Sequence, residues 1–94
     1  MNALRILKER DDEIKSKFHV SSIGVFGSFA RGEGREESDV DVLVEFEEGF
    51  KTFDNFMDLK YFLEEMFSRN VDLVTVNALK PQLKDVILQD VIYA

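Results

Sequence analysis

Two short stretches carry the residue types that could do chemistry. Gly27-Ser28 is followed, after ten intervening residues, by Asp39-Val40-Asp41. A glycine at the end of an apolar run lets a backbone or ligand approach closely. If a helix starts there, its first turn offers unpaired N–H groups and a positive dipole end. Those features suit a phosphate, and the Ser28 hydroxyl adds one donor. Asp39 and Asp41, at i and i+2 in a strand, point the same way with Cα atoms roughly 6.5 Å apart. Carboxylates at such separations repel by roughly 3 kcal/mol at an effective dielectric near 20. A cation offsets that repulsion, and oxygen-only ligands select a hard ion such as Mg²⁺ or Mn²⁺.

Asp72 is a third acid, one residue into another apolar run. If the runs beginning at 40 and 71 lie side by side, Asp72 joins the pair. Three carboxylates could then hold metal ions and align a hydroxyl with a phosphorus, and Asp72 could take the hydroxyl's proton. Arg31 and Arg35 lie close enough in sequence to steady a triphosphate. Each feature alone has an ordinary explanation: a capped turn, a solvated strand entrance, a strand-start aspartate, a solubilising arginine.

The elements that must position these residues follow from apolar spacing. Leu4, Leu7, Ile14 and Phe18 predict a helix over 2–17 with a charged outer face. His19, at its end, reads as structural or exposed. Residues 21–26 predict a strand in which Gly24 admits a close neighbour. Ser28 is expected to cap a short helix over 28–31, stopped by Gly32 and Gly34, with a polar loop over 32–38. Strand 40–46 alternates Val40, Val42, Val44 and Phe46 against Asp39, Asp41, Leu43 and Glu45. Gly49 turns the chain. Thr52 or Asp54 caps a helix to about Ser68, with Phe56, Leu59, Leu63 and Met66 on one stripe and Phe53, Phe62 and Phe67 widening it. Asn70 is its expected left-handed terminator. A third strand follows over 71–76. Pro81 opens a last helix to about Asp90, with Val86, Ile87, Val91 and Ile92 on its apolar side. The expected fold class is α/β (α+β): a small mixed sheet of about three strands flanked by helices, in the order α-β-α-β-α-β-α.

Bulk properties narrow the function. The 94 residues suit one domain, spanning 1–94. No cysteine is present, which excludes a disulfide framework or thiolate metal site. No apolar run reaches the roughly 18 residues of a membrane span, and the N-terminus has no signal-peptide pattern. A cytoplasmic location is the default expectation. The net charge of −7 argues against nucleic acid as the main partner. It leaves open a small nucleotide carried with a divalent metal, or a basic protein.

Taken together, Phe26-Gly27-Ser28-Phe29-Ala30-Arg31-Gly32 and Ser38-Asp39-Val40-Asp41-Val42 resemble the nucleotidyltransferase superfamily of DNA polymerase β. The chain looks closest to its minimal nucleotidyltransferases, the MntA-type antitoxins of HEPN/MNT toxin–antitoxin pairs, over essentially its whole length. The resemblance implies a polymerase β-like fold with ATP as substrate and Mg²⁺ (or Mn²⁺) as cofactor. It implies phosphate binding at Gly27, Ser28 and Arg31, with Asp39, Asp41 and Asp72 as catalytic, metal-binding carboxylates. It further implies an antitoxin that transfers AMP to a tyrosine of a partner HEPN-domain toxin. No second domain binds an acceptor, so a partner or a second copy of the chain (a homo-oligomer) would supply that surface. Two other functions fit the same residues. One is a non-catalytic antitoxin that neutralises its partner by contact. The other is an adenylyltransferase for a small molecule.

Overall fold

The computed structural model describes residues 1–35 and 37–94; Glu36, in the expected polar loop, lies outside the described residues. Two helices open the chain, α1 (Ala3–Glu9) and α2 (Asp11–Phe18), where one was expected. The break falls at Arg10, whose φ/ψ of −117°/14° leave the helical region. Asp11, Asp12 and Glu13 thereby occupy a first turn, where carboxylates favour the positive end of a helix. The Arg10 guanidinium pairs with Glu13 at 2.9 Å. Leu7 on α1 and Ile14 on α2 are both completely buried.

His19 takes a left-handed conformation (φ 53°) and turns the chain into β1 (Val20–Phe26), one residue earlier than expected. A three-residue 3-10 turn, Gly27–Phe29, follows. Phe26, not Ser28, stands at its cap position, without a side-chain cap bond. After the loop come β2 (Val40–Phe46) and α3 (Phe53–Phe67). Thr52 caps α3, its side chain accepting from the Asn55 N–H at 3.2 Å. The left-handed terminator is Ser68 (φ 55°) rather than Asn70. β3 (Val71–Thr75) stops one residue short of Val76, which begins a second 3-10 turn. The last helix, α4 (Pro81–Asp90), matches the expected range.

The sheet has four strands in the order β3-β2-β1-β4, the fourth being β4 (Ile92–Tyr93). Sequence spacing assigned Ile92 to the apolar side of α4 instead. β1 pairs antiparallel with β2, and β2 pairs parallel with β3. Alternation along these strands sorts the residues cleanly. Ile23, Val25, Val40, Val42, Val44, Val71 and Leu73 face a core shared with Leu7, Ile14, Phe18, Leu59, Leu63 and Phe67 of the first three helices. Asp41 and Asp72 therefore face the opposite side of the sheet. Phe53 does not join the core; at the first position of α3 it is 77 % exposed. α4 contributes no buried side chain.

Gly24 shows why β4 can form. It pairs with Tyr93, and a Cβ placed on it would lie 2.8 Å from the Ile92 carbonyl oxygen and 2.8 Å from Val91 Cγ2. The sequence expectation of a close neighbour at Gly24 is thus met by the chain's own C-terminal segment. Gly24→Ala overpacks this contact and is expected to lower stability by about 1–3 kcal/mol. Urea unfolding measures the loss. Hydrogen exchange at the Ala94 amide, which donates to Ile23 O at 2.9 Å, should accelerate in parallel.

Candidate active site at one end of the sheet

The C-terminal end of β1 and the N-terminal ends of β2 and β3 meet at one end of the sheet. Strand register brings the acids together there. Asp41 stands opposite Asp72 in the parallel β2–β3 ladder and opposite Phe26 in the antiparallel β1–β2 ladder. Partners in register share a face, so Asp41 and Asp72 project the same way. Adjacent strands are about 4.8 Å apart. The expected adjacency of Asp72 to the Asp39/Asp41 pair is therefore a property of the fold. Asp39 precedes β2 and is exposed, Asp41 is half-buried, and Asp72 is exposed.

The pKa of Asp41 is raised from its ordinary value of 3.8. Burial is the main cause; the charges of Asp72 and Asp39 push it further, Arg31 opposes them, and Asp90 adds to the rise. Such crowding is what a bound cation would relieve. All donors are carboxylate oxygens, which fit Mg²⁺ or Mn²⁺ in type. Among the described residues, no three Asp, Glu or His side chains already converge on an ion position.

Gly27 closes the other side of the site. Its φ of 72° lies in the left-handed region, and a Cβ placed on it would overlap Asp41 Oδ2. Both the turn and the packing against Asp41 call for glycine at this position. The expected helix dipole is absent, because a three-residue turn has no aligned stack of peptides. Anion-binding capacity lies instead in individual groups: the Gly27 N–H, the Ser28 hydroxyl and the Arg31 guanidinium. Arg31 is tied into the site, its Nη1 donating to Asp90 Oδ2 at 3.0 Å. Arg35 is exposed and its backbone shapes the loop: its N–H donates to Ser38 Oγ at 3.1 Å, and its carbonyl accepts from Arg69 Nη1 at 2.9 Å.

Asp90 is the site residue that sequence reasoning missed. It ends α4, and its Oδ2 also accepts the Gly27 N–H at 2.7 Å. Its only local signal was a carboxylate followed by four apolar residues, Val91 to Ala94, which helix periodicity absorbed. His19 lies at the far end of β1, paired with Glu47 at 3.3 Å and stacked on Phe50, away from these acids.

Comparison with known proteins bears on this arrangement. Residues 5–94 match the nucleotidyltransferase domain. The protein adenylyltransferase MntA of Thermococcus cleftensis is 42 % identical over 88 residues, covering 94 % of this chain and 88 % of the relative. The solved structure of an assigned minimal nucleotidyltransferase superposes with a TM-score of 0.79 at 38 % identity, covering 95 % of this chain and 93 % of the other. A chain of the complex between tri-AMPylated Shewanella oneidensis HEPN toxin and its MNT antitoxin shares the fold, with a TM-score of 0.68 at 15 % identity, covering 96 % and 70 %. Among the described residues, no helix is long and apolar enough to cross a membrane.

Proposed function

The chain belongs to the nucleotidyltransferase domain family, and from that premise we propose that it is a metal-dependent protein adenylyltransferase. In this reading it acts as an antitoxin, transferring AMP from ATP to a tyrosine of a HEPN-domain toxin. The observation that carries the reading is the register of Asp41 opposite Asp72, with Gly27 packed against Asp41. It puts the candidate metal ligands and the candidate phosphate donors at one end of the sheet.

The roles follow from position. Gly27 N–H, Ser28 Oγ and Arg31 take the β- and γ-phosphates, the last as a charge-assisted donor. Asp39, Asp41 and Asp72 would be the oxygen ligands for Mg²⁺ or Mn²⁺. A divalent cation bound there would neutralise the carboxylates and the triphosphate and polarise the α-phosphate. The tyrosine oxygen attacks the α-phosphorus, the bond to the bridging α–β oxygen breaks, and pyrophosphate leaves. In this reading Asp72, exposed near the start of β3, accepts the phenolic proton. The acceptor surface comes from the partner. Exposed Leu83, Val86 and Leu88 on α4, with Ile92 and Tyr93, offer apolar area for such a protein. A cytoplasmic toxin–antitoxin setting completes the proposal.

The test is direct. The protein, Mg²⁺, ATP and the product of its neighbouring gene are mixed and both chains weighed by intact mass spectrometry. The expected result is a gain of one or more AMP units on the partner, mapped by fragmentation to tyrosine. The same exposed apolar side chains also favour a second reading, neutralisation by contact alone. A stable complex that blocks the toxin with no mass gain would select it.

A further inference from the structure

Asp90 presents a chemical contradiction. It is a half-buried carboxylate near enough to Asp41 to add to the negative field that Asp41 feels. Like charges at short range are unfavourable, so something must hold it there. One oxygen, Oδ2, accepts both the Gly27 N–H at 2.7 Å and Arg31 Nη1 at 3.0 Å. The fold delivers it through β4. Gly24 pairs with Tyr93 and Val25 with Ile92, and Asp90, the last residue of α4, lies two residues before that strand. Its backbone is thereby anchored between α4 and β4.

Gly27 and Arg31 are two of the donors that a triphosphate would need. A backbone amide has one proton to give, so a phosphate oxygen competes with Asp90 for it. We propose that Asp90 is an internal stand-in for a phosphate oxygen: it holds the Gly27 N–H and one Arg31 N–H in the free protein and yields the Gly27 N–H to the entering nucleotide. The inference rests on the nucleotidyltransferase reading and adds to it a residue that competes with substrate. It keeps the Gly27 N–H and the Arg31 guanidinium oriented and paired between turnovers. It also lowers apparent nucleotide affinity by the fraction of time the plug is in place, and its return favours departure of pyrophosphate. If the plug is seated about nine-tenths of the time, its removal tightens binding about tenfold.

The experiment is calorimetric titration of the full chain with Mg²⁺·ATP. Asp90→Asn keeps the side-chain shape and removes the charge. Asp90→Ala removes the acceptor altogether. Asp85→Asn, on the exposed side of the same helix, controls for the change in net charge. Asp90→Asn and Asp90→Ala are expected to bind about five- to twentyfold more tightly than the wild type, and Asp85→Asn within about twofold of it. The wild type supplies a readout that needs no variant: the Asp90 side-chain carboxyl ¹³C resonance and the Gly27 amide should both shift as Mg²⁺·ATP is added. Equal or weaker binding by the Asp90 variants, with ATP still bound by all the proteins, would overturn the stand-in role alone. A carboxyl resonance that stays in place at saturating nucleotide would do the same. Failure of every protein to bind Mg²⁺·ATP would overturn the nucleotidyltransferase reading together with it.

Discussion

Asp41→Asn is expected to abolish AMP transfer, by about a thousandfold or more, while raising the melting temperature of the metal-free protein. The two effects have one origin. Asp41 is half-buried beside Asp72 and Asp39, and these surroundings raise its pKa. Losing a metal ligand removes several kcal/mol of transition-state stabilisation, and about 4 kcal/mol corresponds to a thousandfold in rate. The same substitution removes the like-charge crowding from the folded state. Allowing for solvent screening of a partly exposed group, the gain is about 1 kcal/mol, or roughly 4–8 °C for a domain of this size.

The pH dependence has a definite sign. Below the unfolded-state value of 3.8, Asp41 is protonated in both states and imposes no penalty. As pH rises, the unfolded chain releases the proton first, so the folded state loses stability until its own raised pKa is passed. Melting temperatures of wild type and Asp41→Asn should therefore converge near about pH 3, diverge through the acidic range, and run parallel above it. Added Mn²⁺ should raise the wild-type melting temperature and leave the variant nearly unmoved. Identical melting curves at neutral pH would show that the carboxylates are not crowded in solution.

Gly27→Ala is expected to lower both stability and transfer severely. Gly27 has φ 72°, and an added Cβ would overlap Asp41 Oδ2. Left-handed backbone costs a non-glycine residue about 1–2 kcal/mol, and displacing Asp41 or the turn adds to that. A total near 2–4 kcal/mol would lower the melting temperature by roughly 10–25 °C. Transfer should fall at least a hundredfold, because the shift reaches the proposed metal ligand Asp41 and the proposed phosphate donor Gly27 together. Gly49→Ala separates the two causes. Gly49 also has a positive φ, 87°, but an added Cβ there meets nothing within 4 Å. It should lose only the backbone contribution, about 1 kcal/mol, and transfer at the wild-type rate. Equal losses in the two variants would mean that strain alone, without contact to Asp41, explains the Gly27 effect.

Legibility in the sequence tracked how local each feature is. Alternation in 40–46 is a property of seven consecutive residues, and the strand matches its expected bounds. The stripe Phe56, Leu59, Leu63 repeats within a few turns, and α3 forms around it with Leu59 and Leu63 fully buried. The break at Arg10 was not legible, because Leu7 and Ile14 keep a helical spacing across it. Phe53 was misjudged for a similar reason: periodicity reports an apolar residue, but not that α3 begins there and points it outward.

The sequence by itself determined the candidate carboxylate pair, the Gly-Ser turn, the three main strands and the helix between the second and third. Each of these rests on spacing within one segment, where backbone geometry alone converts residue order into direction. Tertiary structure decided the rest of the site. Asp72 lies 31 positions beyond Asp41, and only the parallel β2–β3 register sets them side by side. Asp90 lies 63 positions beyond Gly27, and only the pairing of a two-residue strand against β1 brings its carboxylate to the Gly27 amide. Contacts between remote segments depend on which pairing buries the common apolar face best, and no periodicity within either segment records that choice.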